Sequence, residues 1–326
     1  METVFYRVYC RGILGVKTNV PGFKWVYGST APDAAREEYE ECKIKLEAVV
    51  VPEKALTERR NFDKSFQAYS WDQEMHTISC LRTFFLNVKI GYNIRIANNT
   101  IYAEIGENYY RFVKNRTMNL HGMYYLLSDL ANMLLLKNGY LTLYASAVYY
   151  EPKNKCLVNF APPNTGKTLT VSKLCELPGY KLVGEDVVIT DGEKVYSCPW
   201  TCSYRGKQSV VDSAGSMRRN AKMAAPQIEE KCVWTDLAVL SLGEKAIITD
   251  PHETLNRICI LNGYLFGYFS TPILKLLAYF DKEYYQPWNE MAEAMLKQVV
   301  GRVNCCVVQA ETAMDFYELI RFDAGI

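Results

Sequence analysis

Residues 1 to about 115 alternate short runs of β-branched and aromatic residues with polar turns. VFYRVYC, KLEAVVV, FFLNVKI, NIRIA, TIYAEI and YYRFV have the composition of strands, and Asn98-Asn99 supplies a turn between two of them. This half is predicted to be a mostly antiparallel, β-rich domain. The acidic run from Glu37 to Glu41 falls in a short helix or loop, on a solvated surface.

From residue 116 the pattern changes. LHGMYYLLSDLANMLLLKNGYL carries apolar residues at helical spacing, interrupted by Ser128, Asp129 and Asn132, and so predicts a buried amphipathic helix and not a membrane span. Asn138-Gly139 caps it. YLTLYASAVYY and KCLVNF read as two strands joined by the polar turn Glu151 to Lys155. LTVSKLCEL then has helical periodicity, stopped by Pro178-Gly179. LVGEDVVIT and EKVYSCPW form a hairpin across Asp191-Gly192.

Residues 206–231 are polar, small and poorly periodic, which predicts a mobile loop. CVWTDLAVLSL returns to strand, residues 253–299 are mostly helical, RVNCCVVQA is a late strand, and ETAMDFYELIRF closes as a helix. Two domains are therefore expected, 1–115 and 116–326.

Composition narrows the classes of function. The 326 residues are 49% hydrophobic and 22% charged, enough for one large or two medium domains. The formal charge of +1 creates no global field toward nucleic acid or an anionic membrane, so neither is expected as a partner. Eleven cysteines without the regular spacing of a disulfide framework suggest a reducing, cytoplasmic setting. The start METVFYRVYCRG lacks a basic region followed by an apolar run, so no secretory signal is expected. Cys198, Cys202 and the adjacent Cys305-Cys306 lack the second pair or nearby histidine that would complete a zinc set.

The chemistry concentrates in APPNTGKTLT, residues 161–170. It ends as a phosphate-binding loop does, in Gly166-Lys167-Thr168, although Ala161 stands where the usual pattern has its first glycine. Such loops work by wrapping backbone N–H groups round an anion at the positive end of the following helix. KCLVNF, APPNT and GKTLTVSKLCEL supply the required order of strand, loop and helix. Pro162 and Pro163 cannot donate, but the positions nearest phosphate, Asn164, Thr165, Gly166, Lys167, Thr168 and Leu169, keep their N–H groups. Asn164 can adopt the left-handed backbone conformation that a glycine usually supplies. Glu185-Asp186 follows one strand-helix-strand step later. One member of such a pair can hold Mg²⁺ and the other can orient or deprotonate an attacking hydroxyl.

The stretch from LYASAVYY to VYSCPW, which contains NFAPPNTGKTLT and LVGED, resembles the catalytic domain of the HPr kinase/phosphorylase family. That family is similar to the nucleotide domain of phosphoenolpyruvate carboxykinase. The resemblance implies a mixed α+β or α/β, P-loop nucleotide domain preceded by the β-rich region. It also implies that Lys167 contacts the β- and γ-phosphates, that Thr168 and Asp186 bind Mg²⁺, and that Glu185 or Asp186 acts as the base. The opening FYRVYCRGILGVKTNVPGF and the closing RVNCCVVQAETAMDFYELI are similar to stand-alone members, some of which phosphorylate serine on peptides or small molecules. Ala161 and Asn164 replace glycines, Glu185 replaces an aspartate, and Tyr144 stands where the family has histidine. A tyrosine ordinarily titrates at about 10, so it does not replace histidine as a charge switch at neutral pH.

The expectation is thus an ATP- and Mg²⁺-dependent kinase, a phosphotransferase acting on a hydroxyl of a peptide or small molecule. Its catalytic residues are Lys167, Glu185 and Asp186, and Arg218, Arg219 and Lys222 close over phosphate or an acidic substrate. The alternative is a nucleotide-binding partner protein of the same fold without transfer. The sequence leaves open whether the chain is a homo-oligomer.

Overall fold

The computed structural model describes the chain apart from residues 1–2, 22, 24–30, 32, 58–62, 84–86, 115–122, 199–208, 212–216, 220–226, 264–272, 283–286 and 324–326. Its contacts fall into two units. The first comprises residues 1–26, 31–138 and 266–288, and the second 27–30, 139–265 and 289–326.

The first unit is built on β1 (Phe5–Cys10), β2 (Leu14–Thr18), β3 (Ile44–Val51), β4 (Lys64–Phe66), β5 (Tyr69–Asp72), β6 (Thr77–Thr83), β7 (Lys89–Ala97) and β8 (Thr100–Gly106). They form one sheet in the order β1-β2-β3-β8-β7-β6-β5-β4. The pairs β2–β3 and β3–β8 are parallel and the rest antiparallel. Asn98 and Asn99 turn the β7–β8 hairpin with φ of 50° and 58°, the left-handed values that a two-residue connection of this kind needs. FFLNVKI and NIRIA are not two strands: from Lys89 onward they make the single strand β7. The start of FFLNVKI lies outside the described residues.

Four helices accompany the sheet: α1 (Arg36–Glu40), α2 (Glu53–Thr57), α3 (Glu107–Lys114) and α4 (Met123–Lys137). YYRFV, predicted as strand from its aromatic and branched residues, lies in α3. The reason is tertiary: Glu53 Oε1 accepts the N–H groups of Asn108 at 2.8 Å and Tyr109 at 3.4 Å, so a carboxylate from α2 caps the first turn. Helix α4 is where the apolar spacing put it, but it is buried on every side. All side chains from Leu126 to Leu136 are buried, Ser128, Asp129 and Asn132 included. A helix enclosed all round has no polar face to display.

The second unit contains β9 (Leu141–Leu143), β10 (Ala145–Tyr150), β11 (Lys155–Phe160), α5 (Lys167–Cys175), β12 (Tyr180–Gly184), β13 (Val188–Thr190) and β14 (Lys194–Tyr196). It continues with β15 (Ser209–Val211), β16 (Met217–Arg219), β17 (Lys231–Val233), β18 (Asp236–Leu242), β19 (Ala246–Ile248) and α6 (Pro251–Asn262). Helix α7 (Ile273–Phe280) belongs to the first unit, where it packs against α4. Then come α8 (Trp288–Val300), β20 (Asn304–Ala310) and α9 (Phe316–Leu319). The main sheet runs β12-β10-β11-β18-β20-β19, beside a smaller one ordered β17-β14-β13-β9. Val148, Leu157, Val171, Leu174, Leu240, Val308 and Phe316 pack α5 and α9 onto the main sheet.

Three local expectations change here. YLTLYASAVYY breaks at Tyr144, so that β9 pairs with β13 in the small sheet while β10 pairs with β11 and β12 in the large one. Within residues 206–231, of which 206–208, 212–216 and 220–226 lie outside the described residues, β15 and β16 pair as antiparallel strands in place of an expected loop, and Gln227 and Glu229 bond Leu182 of β12 at 2.7 and 2.9 Å. ETAMDFYELIRF is helical only over α9, because Asp315 Oδ2 accepts both the N–H and the hydroxyl of Thr312, holding the preceding residues in a turn. Among the described residues, no helix is long and apolar enough to cross a membrane.

Candidate functional site

Strand β11 ends at Phe160, the chain crosses residues 161–166, and α5 starts at Lys167. Ala161 is buried in the core of the second unit, whereas Pro162, Pro163 and Asn164 are exposed. The Thr165 N–H turns back to the Pro162 carbonyl at 3.3 Å. Asn164 has φ 63°, so it takes the left-handed position that the missing glycine would otherwise fill. Gly166 is demanded twice over. Its φ is 119°, and a Cβ there would lie 2.6 Å from the Cβ of Ala313.

No side chain caps α5 at Gly166. The first N–H groups of a helix have no partner within it, so the amides of Lys167, Thr168 and Leu169 form an end suited to an anion. Lys167 itself is enclosed, with its side chain 6% exposed. Its ammonium donates to the Ala161 carbonyl at 3.0 Å and sits 3.5 Å from the centre of the Tyr144 ring. Asp186 Oδ1 is 3.8 Å away, close enough to attract but too far to hydrogen-bond. Burial therefore dominates and draws the Lys167 pKa down to about 8, with Asp186 opposing. Burial raises that of Asp186, with Lys167 opposing.

The two acids are unequally placed. Glu185 is 1% exposed, whereas the Asp186 side chain is 34% exposed and is the member that meets Lys167. Thr168, half-buried at the start of α5, and Asp186 are the oxygen donors available at the loop for a cation. Among the described residues no cluster of three His, Cys, Asp or Glu side chains could enclose a metal. That donor set fits a magnesium ion held by one or two protein oxygens together with phosphates, and not a cage made only of protein.

Tyr144 is fixed from a distance. Its N–H donates to Asn262 Oδ1 at 3.0 Å, and Asn262 Nδ2 donates to the Thr142 carbonyl at 3.2 Å. Asn262, 3% exposed at the end of α6, thus satisfies backbone groups at the point where β9 and β10 part into different sheets. Neither Asn262 nor Ala313 is marked by any local pattern in the sequence. Lys222 lies outside the described residues. Arg218 and Arg219 sit on β16, with side chains outside the description.

No family model matches the sequence, and no curated protein matches it. Among solved structures, the HPr(Ser) kinase/phosphatase from Coxiella burnetii is similar with a TM-score of 0.22 and 16% identity, over 32% of this chain and 68% of that one. A likeness at this score carries no argument, and the site stands on its own geometry.

Proposed function

We propose that the second unit binds ATP with Mg²⁺ and transfers the γ-phosphoryl group to a hydroxyl, a serine of a peptide or an alcohol of a small molecule. The carrying observation is the meeting of an enclosed lysine, a carboxylate 3.8 Å from it and an uncapped helix start at the end of a strand-loop-helix. In the free protein, the Lys167 ammonium rests on a neutral carbonyl and an aromatic ring. An incoming phosphate offers it the full charge partner that its burial lacks.

In this reading Lys167 and the amides of Asn164 and Gly166 through Leu169 hold the phosphates, the expected Thr165 N–H being engaged instead by the Pro162 carbonyl, and Thr168 and Asp186 hold the metal. Bound Mg²⁺ supplies neutralisation of phosphate charge. The acceptor oxygen bonds to the γ-phosphorus as the bond to the ADP oxygen breaks, and the hydroxyl proton passes to Asp186 or Glu185. A second reading, nucleotide binding without transfer, draws on Tyr144, whose ring covers the lysine where the resembled family has histidine.

The test is incubation of the purified protein with ATP, Mg²⁺ and serine-containing peptides or small alcohols, scored as gain of one phosphate by mass. Transfer that disappears in Lys167→Ala and Asp186→Asn supports the kinase. Transfer that survives in both variants rejects the site. Binding of ATP without transfer to any acceptor leaves the second reading, and absence of ATP binding ends both.

A further inference from the structure

The sheet of the first unit has two unlike faces. Leu46, Trp71, Ile94 and Ile101 point to the apolar one and are buried. On the other, the register aligns Lys17, Glu47, Tyr102, Arg95, Thr77 and Asp72 in one row across six strands. Glu104, Asn93 and Ser79 stand in the next row. A cavity of about 560 Å³ lies over both rows, within the size range of small-ligand sites.

A solvated polar face is ordinary for an antiparallel sheet, but two features set this one apart. Its floor is closed and fixed: Ser79 and Asn93 are 2% and 8% exposed. The Ser79 hydroxyl donates to Asn93 Oδ1 at 2.7 Å, and Asn93 Nδ2 donates to Glu104 Oε2 at 3.0 Å. The second feature is how its charges are matched. Glu47 is paired with Lys17 at 2.8 Å. Arg95 lines the same cavity as Glu47, Asp72 and Glu104, yet among the described residues it pairs with none of them. Its guanidinium instead stacks 4.2 Å over the ring of Tyr102. A stacked arginine keeps the planar N–H edge that grips a carboxylate with two hydrogen bonds.

Glu104 is the diagonal neighbour of Arg95 across the β7–β8 pair, at a backbone separation of roughly 7–8 Å. One cationic and one anionic group at that spacing, over a neutral hydrogen-bonding floor, complement a ligand that carries both charges. We propose that this cavity binds an amino acid or dipeptide with free termini, its carboxylate held by Arg95 and its ammonium by Glu104.

The experiment is ligand-observed NMR on the full chain with the common amino acids and glycyl-glycine, followed by calorimetry on each binder. At least one is expected to bind. Its carboxamide and its N-acetyl form should each bind about tenfold more weakly or worse. Arg95→Gln should reproduce the first loss and Glu104→Gln the second, in variants whose thermal unfolding matches the parent. Lys167→Ala should bind the amino acid as the parent does, since the proposal is independent of the nucleotide reading. Absence of any binder at tens of millimolar, or binding unchanged in Arg95→Gln, overturns it.

Discussion

The loop at the start of α5 and the polar face of the first unit's sheet treat charge in opposite ways. At the loop, one lysine is enclosed and its carboxylate stands off at 3.8 Å, so its ammonium is under-compensated and its pKa falls to about 8. On the sheet, the Lys17–Glu47 pair closes to 2.8 Å with side chains 32% and 24% exposed, and water shares the load. The difference teaches where to look for function. A paired, half-exposed charge is at rest, whereas a buried cation leaning on a carbonyl and a ring has room for an anion.

The contrast can be broken most severely at the loop's backbone. Gly166→Ala meets both a φ of 119° and the Cβ of Ala313 at 2.6 Å. It is expected to cost about 2 kcal/mol or more in denaturant unfolding. An alanine tolerated without loss would show that the loop is not held as described.

Next comes pH. Because the Lys167 pKa lies at about 8 in the free protein, ATP binding that needs the ammonium must take up a proton above that pH. Affinity should then fall by up to about tenfold per pH unit above 8, and calorimetry in buffers of different ionisation enthalpy should detect the proton. Lys167→Arg should flatten the profile. The linked effect on stability has the other sign: between 8 and the ordinary 10.5, the unfolded chain holds more protons at this lysine, so its contribution to stability rises with pH.

Smaller effects belong to the sheet. Ser79→Ala removes the 2.7 Å donor to a buried Asn93 oxygen and should cost about 1 kcal/mol by chemical denaturation. Glu47→Gln should cost less than about 1 kcal/mol and fade further in high salt, since the pair it weakens is partly exposed. A larger loss there than at Gly166 would reverse the contrast.

The same contrast governs what the sequence could reveal. The loop is contiguous, so Gly166, Lys167 and the left-handed role of Asn164 were legible in ten residues, and Asp186 lay just beyond the next two elements, α5 and β12. The side-chain partner of the Tyr144 N–H was not, because Asn262 is 118 positions away, at the end of α6. The sheet floor was hidden for a related reason. Arg95, Tyr102 and Glu104 become neighbours of Thr77 and Glu47 only through strand register, and β5 and β6 gave too weak a pattern to be predicted at all. Local composition misled at YYRFV, where Glu53 caps a helix that aromatic residues alone would make a strand. The fold was legible wherever periodicity decided it, in α4, α5, β11 and the Asn98-Asn99 hairpin, and illegible wherever a distant polar side chain did.

The central claim is that the enclosed Lys167 awaits phosphate. It is tested most directly by titrating ATP with Mg²⁺ at neutral pH into the parent and into Lys167→Met, with folding of the variant checked by its thermal transition. The parent should bind, and the variant should bind about a hundredfold more weakly, the effect of losing a charged hydrogen-bonding partner to phosphate. Equal affinity in the two folded proteins would contradict it.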